Sequence, residues 1–166
     1  LETVYTGNCG GHTAPIEVAM TGTQPLAPLR GVPDTDADGK PFCRLAPNFE
    51  WELPLTREEL ERRFPHAGRI REVAIAQRTA GGHVQQVRLR GDRATLTLTG
   101  AEFRAAIGVG RIRSLMFEVQ PQQDGWRIAG RGSGHGAGMC QWGAQGRALA
   151  GQTYRQILEA YYPDAT

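Results

Sequence analysis

The chain has 166 residues, of which 40% are hydrophobic and 22% charged, a composition typical of one globular domain and not of a disordered chain. Its 19 basic and 17 acidic residues give a net charge of +2, without the basic stripe and interleaved aromatic residues that nucleic-acid binding needs. No run approaches the roughly 18 apolar residues that a membrane span requires. We therefore expect a single domain over residues 1–166, with no nucleic-acid partner and no membrane span.

The first third of the chain carries few signals of regular structure. Residues 2–6 predict a short strand that ends in a glycine-rich turn, and residues 22–47 form a proline-rich stretch without helical or alternating periodicity. Within it, aspartates alternate over 34–38 before Gly39, as at the start of a calcium loop, but Leu45 stands where such a loop requires glutamate. We expect a solvated turn here.

The rest of the chain alternates between short strands and short helices. A capping box predicts the start of each of two helices, over 56–64 and 99–107, and Gly108 ends the second. Alternating apolar residues and glycine-containing turns predict strands. The predicted strands cover 70–79, 83–90, 94–99, 115–119 and 126–129, and further helices cover 138–149 and 154–161. This order predicts an α+β fold, an antiparallel meander with short helices in a single domain.

Three cysteines are present, and they lack the paired spacing of a zinc framework. A disulfide between Cys9 and Cys43 would close the proline-rich stretch and contribute about 3–4 kcal/mol on the loop-entropy model. A metal site that uses Cys9, His12 and Cys43 is the alternative. We favour the disulfide because no fourth ligand is evident and paired cysteines suit an oxidising compartment. No cofactor is expected.

Residues 130–144 are the most informative segment, since alternating glycines surround His135, Cys140, Gln141 and Trp142. Such a composition indicates close backbone packing or a ligand that lies against exposed N–H groups. A dinucleotide fingerprint is unsupported because no βαβ unit surrounds the glycines. Cys140 with His135 as base would make a thiol nucleophile, although a cysteine in this setting is more often a buried packing residue. His66 and His83 are expected at the surface.

The stretch GRGSGHGAGMCQWGA, followed by a helix and the ending ILEAYYP, closely resembles the closing part of the SpoIID/LytB family. In that family, the corresponding pattern is roughly G-x-G-x-G-H-G-V-G-M-S-Q-W-G-A. The segment YTGNCGGHT and the segments around 98–104 and 113–117 also match family motifs in the same order. Two positions depart from the pattern: Ser133 replaces a frequent tryptophan, and Cys140 replaces the usual serine, which weakens a hydrogen bond expected at that position.

The resemblance implies work on peptidoglycan outside the cytoplasm, in the cell envelope, periplasm or medium. Family members are lytic transglycosylases, which leave 1,6-anhydromuramyl ends, or enhancers of wall amidases. The expected partners are glycan strands and a wall amidase, or a companion segment. The expected substrate-binding residues are Tyr5, His12, Arg104, Ser114, His135, Cys140 and Gln141. Tyr5 and Trp142 could stack on sugar rings, although Trp142 could equally belong to the core.

The family's catalytic glutamate lies in an E-M-P segment before the C-G-G-H-T segment, and no glutamate of this chain stands in that context. We therefore expect residues 1–166 to be the C-terminal portion of a SpoIID-like domain that lacks the N-terminal catalytic-glutamate segment, and we expect no catalytic residue within it. The acid would lie upstream, be cleaved off, or belong to another polypeptide. The alternative is a non-catalytic wall-binding module or an amidase enhancer.

Overall fold

The computed structural model describes residues 3–165 and has the α+β fold class predicted from the sequence. The strands are β1 (Tyr5–Thr6), β2 (Glu50–Thr56), β3 (Ile70–Arg78), β4 (Val84–Gly91), β5 (Thr95–Thr99), β6 (Phe117–Gln122), β7 (Gly125–Arg131) and β8 (Met139–Cys140). The α-helices are α1 (Ile16–Ala19), α2 (Arg57–Arg63), α3 (Gly100–Ile107), α4 (Gln141–Leu149) and α5 (Tyr154–Tyr161). The predicted residue 2 of the first strand lies outside the described residues.

Two three-stranded antiparallel sheets build most of the domain. The meander β3–β4–β5 has the predicted order, and its apolar residues Val73, Val87 and Leu89 are buried. In the second sheet, β7 lies between β2 and β6. The main hydrophobic core packs the two sheets with α2 and α3, through side chains such as Leu60 and Phe103.

Three of the four predicted helix starts are confirmed by their caps. The helix predicted over 138–149 instead begins at Gln141, because Met139 and Cys140 pair with β1 as strand β8. The Thr56 side chain accepts the Glu59 N–H at 3.2 Å, and Thr99 forms a capping box with Glu102 in which both reciprocal hydrogen bonds are present. Thr153 forms a second complete capping box at the start of α5. These hydrogen bonds satisfy backbone donors that a helix start would otherwise leave unpaired.

The glycine-rich segment lies directly against the N-terminal segment of the domain. β8 pairs with β1 in a parallel arrangement, so the sheets are not all antiparallel. Gly138 has φ +72° and a side chain there would meet the backbone of Val4, while a side chain at Gly132, with φ +83°, would lie 2.7 Å from the Asn8 carbonyl oxygen. Of the two explanations that the sequence left open, the structure therefore supports close backbone packing.

Candidate functional site

An exposed surface forms where β1 meets the beginning of α4. Tyr5 is 58% exposed, Trp142 is 39% exposed, and Gln141 is also exposed. The parallel pairing of β1 with β8 aligns Tyr5 with Met139, two residues before Gln141. The backbone N–H of Trp142 donates to the Gly7 carbonyl at 3.2 Å. We call Tyr5, His135, Gln141 and Trp142 the β1–β8 surface. Its backbone is fixed, whereas its side chains are accessible.

His135 is half-buried beside β1. Its Nδ1 accepts the Ala137 N–H at 3.1 Å. Burial lowers the pKa of His135, although a hydrogen bond with the Tyr5 backbone opposes that effect. The imidazole is therefore neutral near pH 7, with Nδ1 as an acceptor. A neutral, oriented ring suits hydrogen bonding with an uncharged ligand.

Arg104 and Ser114, two of the predicted binding residues, make their hydrogen bonds within the protein. The Arg104 guanidinium donates to the carbonyls of Ile112 at 2.8 Å and Arg113 at 3.0 Å, so it fixes the loop after α3. The Ser114 hydroxyl donates to the Arg131 carbonyl at 2.6 Å and is buried. Both residues position backbone next to the glycine-rich segment, and contact with substrate stays a prediction for them.

His12 lies next to a second histidine. Its Nδ1 is 2.7 Å from the Thr13 carbonyl oxygen, and its ring meets the His83 ring edge-on at 6.1 Å. His83 is only 1% exposed, so the expected surface position is wrong. Burial lowers the pKa of His83 to about 4, and its Nε2 has no hydrogen-bond partner among the described residues. No periodic pattern in the sequence indicates this burial, since His83 precedes β4.

The three cysteines and Asp34 meet in one buried cluster, which we call the thiol cluster. One ligand atom from each of Cys9, Asp34, Cys43 and Cys140 lies within 4.8 Å of all the others. The predicted disulfide is wrong, because the Cys9 and Cys43 sulfurs are 3.8 Å apart and all three thiols are free. The metal alternative named His12, whereas Asp34 and Cys140 are the residues that join the two cysteines.

The environment of the cysteines argues against a thiol nucleophile. Cys140 is 0% exposed, and its sulfur accepts the N–H groups of Cys9 and Gly143, each at 3.2 Å. A hydrogen bond with Cys43 and burial raise the pKa of Cys140 well above its usual range. Since a reactive cysteine needs exposure and a lowered pKa, Cys140 does not fit that role.

A cavity of about 500 Å³ lies along β2, β6 and β7 and contains none of the predicted binding residues. Glu50, Glu52 and Glu118 line it together with Arg78 and other residues. Glu118 pairs with Arg78 at 2.7 Å. A hydrogen bond from Arg127 lowers the pKa of Glu52, which is the opposite of what a general acid needs near neutral pH.

Comparisons with known proteins place the chain in a family. Residues 46–138 match the family described as a domain of unknown function (DUF8618), and the chain belongs to it. Within residues 3–165, no helix combines the length and the apolar character needed to cross a bilayer.

Individual relatives extend the similarity beyond the family match. An uncharacterized protein of Brachyspira hyodysenteriae is 29% identical over 162 residues, which cover 98% of this chain and 42% of that protein. Stage II sporulation protein D of Bacillus subtilis is 26% identical over 164 residues, which cover 98% of this chain and 43% of that protein. The amidase enhancer of Bacillus subtilis is 40% identical over 72 residues, 43% of this chain and 10% of that protein. The chain thus spans less than half the length of each relative.

Proposed function

We propose that this chain is a peptidoglycan-binding domain of the SpoIID/LytB type that acts outside the cytoplasm. The observation that carries the proposal is the β1–β8 surface, in which two exposed aromatic side chains and two uncharged polar side chains stand on a fixed backbone. Distant similarity to stage II sporulation protein D over 98% of the chain supports the wall assignment.

The chemistry of the β1–β8 surface suits a glycan. Tyr5 and Trp142 offer flat apolar faces against which sugar rings pack, and each also carries a polar group at its edge. Gln141 offers both an amide donor and a carbonyl acceptor, which complement the hydroxyl and acetamido groups of amino sugars. His135 adds the neutral acceptor described above. A few placed polar groups beside aromatic faces are a common pattern in ligand sites.

The proposal is one of binding without cleavage by this chain alone. The lytic reaction of the resembling family needs a glutamic acid held protonated in an E-M-P context, and the 166 residues contain no such segment. In this proposal, the chain supplies one wall of a glycan cleft, and any acid comes from another segment or another polypeptide.

Co-sedimentation with purified peptidoglycan sacculi tests this function. The 166-residue chain should pellet with sacculi and release no anhydro-ended muropeptides on chromatography. W142A and Q141A should each lower the affinity. Q123A is a matched control, because Gln123 is exposed in the turn before β7, roughly 20 Å along that strand from the glycine-rich segment. Equal pelleting of W142A, Q141A and Q123A would sink the surface assignment, and absence of pelleting would sink the function itself.

Amidase enhancement is the second candidate, and it is favoured by the 40% identity over 72 residues to a protein named amidase enhancer. In this version the same surface presents glycan to a wall amidase. Adding the chain to sacculi with a wall amidase should then raise the rate of stem-peptide release, and W142A should remove the increase. An unchanged rate in the presence of bound chain would leave glycan binding as the function and reject enhancement.

A further inference from the structure

We propose that Cys9, Asp34, Cys43 and Cys140 bind one Zn²⁺ ion in a closed, tetrahedral structural site. The inference does not rest on glycan binding. It rests on four potential ligand atoms that converge from three distant parts of the chain and lie within 4.8 Å of one another.

Two of the distances between these atoms are close to those around a tetrahedral zinc ion. With Zn–S bonds of about 2.3 Å, two sulfurs at tetrahedral corners are roughly 3.8 Å apart. The Cys9 and Cys43 sulfurs are separated by 3.8 Å. The Oδ2 atom of Asp34 lies 3.2 Å from the Cys9 sulfur, close to the roughly 3.5 Å expected for a sulfur and an oxygen on the same ion.

Asp34 is held so that one oxygen remains for a metal. Its Oδ1 accepts from the Arg147 Nε at 3.0 Å and from the Tyr161 hydroxyl at 2.7 Å, while Oδ2 faces the sulfurs. Hydrogen bonds of this kind orient ligating carboxylates in zinc sites. Arg147 itself stacks on the rings of Phe42 and Tyr161, at 4.6 and 5.0 Å from their centroids.

A divalent cation would also balance the charge of these four ligands once it is bound. The thiols lose their protons when they bind a metal. Of the four negative charges that result, Arg147 offsets one and the divalent cation offsets two. Sulfur ligands favour Zn²⁺ over Mg²⁺ or Ca²⁺, which prefer oxygen.

The surroundings of the cluster fit a structural rather than a catalytic ion. Cys43, Cys140 and Asp34 are 0% exposed and Cys9 is 2% exposed, so no coordination position opens to solvent. The ligands join the segment after β1, the proline-rich stretch and the beginning of α4. The proline-rich stretch has little regular structure of its own, and a metal would fix it at two points, Asp34 and Cys43.

Metal analysis of the purified 166-residue chain tests the proposal. Protein isolated under reducing conditions should contain about one zinc per chain, as a single closed site requires. Exchange for Co²⁺ should give a thiolate-to-cobalt charge-transfer band and the visible bands of a tetrahedral ion. C140S should weaken Co²⁺ binding at least ~10-fold and reduce the charge-transfer band. C140S should still fold, because serine can accept the Gly143 N–H that the Cys140 sulfur accepts at the start of α4.

Two further variants separate ligation from general damage. Y161F removes a hydrogen bond to Asp34 without removing a ligand, and it should weaken Co²⁺ binding about 10-fold while the spectrum keeps its shape. D38N changes an exposed carboxylate of the same stretch and should leave affinity unchanged. The proposal is overturned if the wild-type chain neither retains zinc nor takes up cobalt, if C140S gives the wild-type spectrum and affinity, or if freshly isolated protein contains a Cys9–Cys43 disulfide.

Discussion

Replacing Gly146 with alanine should destabilise the protein, although the same change in an open helix stabilises it. Gly146 lies within α4, where alanine is favoured over glycine by about 1 kcal/mol. A Cβ at this position would overlap the carbonyl oxygen of Phe42 and lie 2.8 Å from its carbonyl carbon. Carbon atoms in good contact are about 3.5–4.0 Å apart, so α4 and residues 42–45 must separate by roughly 1 Å.

Overpacking costs about 1–3 kcal/mol, and the upper half of that range applies here because the Cβ would meet the Phe42 backbone and not a flexible side chain. After the helix preference of about 1 kcal/mol is subtracted, the net loss for G146A should be about 1–2 kcal/mol. For a chain of this length, that loss lowers the Tm by roughly 2–8 °C. Thermal and urea unfolding followed by circular dichroism measure both quantities. G110A is the matched control, since Gly110 has open space around its Cβ position, and it should be neutral or slightly stabilising. A G146A variant as stable as wild type would refute the close packing of α4 on residues 42–45.

Three further predictions test the cap, the buried histidine and the exposed surface. T99A removes a complete capping box and should lower the free energy of unfolding by about 1 kcal/mol in urea denaturation. Burial lowers the pKa of His83 from 6.5 to about 4. Between pH 6.5 and pH 4 the unfolded chain therefore binds more protons than the folded chain. The free energy of unfolding should fall by up to about 3 kcal/mol as the pH is lowered across this range. H83L should flatten that part of the pH profile, and an unchanged slope would contradict a buried neutral His83. W142A should weaken binding to sacculi at a temperature where circular dichroism shows the variant folded. Its Tm should also fall, since Trp142 is only 39% exposed and the rest of its side chain packs against the protein. Full binding by the folded variant would contradict a role of this ring in binding.

Local signals predict most of the regular structure, and strand β2 is the main element that they do not predict. The capping boxes and the alternating strands depend on residues close in sequence, and α5 has the predicted bounds. In β2, Trp51, Leu53 and Leu55 alternate with two glutamates and Pro54, so the strand signal was present. Proline normally argues against a strand, but β2 is an edge strand of its sheet, where a missing N–H is tolerated.

The thiol cluster could not be predicted, because it depends on contacts between distant residues. Cys9 and Cys140 are 131 positions apart, and the parallel pairing of two-residue strands that brings them together leaves no periodic signal. From the sequence alone, Cys140 is therefore considered together with the nearby His135, and no fourth metal ligand is evident beside Cys9 and Cys43. The candidate glycan-binding residues come mostly from the motifs on which the resemblance rests, and their contact with glycan stays a prediction.

Asp34 shows why the aspartate pattern alone predicts the wrong solvent exposure for this residue. Three aspartates alternate before a glycine, a pattern typical of a solvated turn, and Asp38 is indeed exposed. Asp34 is 0% exposed, because Arg147 and Tyr161, from the last two helices, supply the hydrogen bonds that a buried carboxylate needs. Burial of a charge is costly unless it has such partners, and those partners lie more than a hundred residues away. The same hydrogen bonds leave Oδ2 directed at the sulfurs, so the group that looked most like solvent-exposed turn chemistry is the one that completes the proposed zinc site.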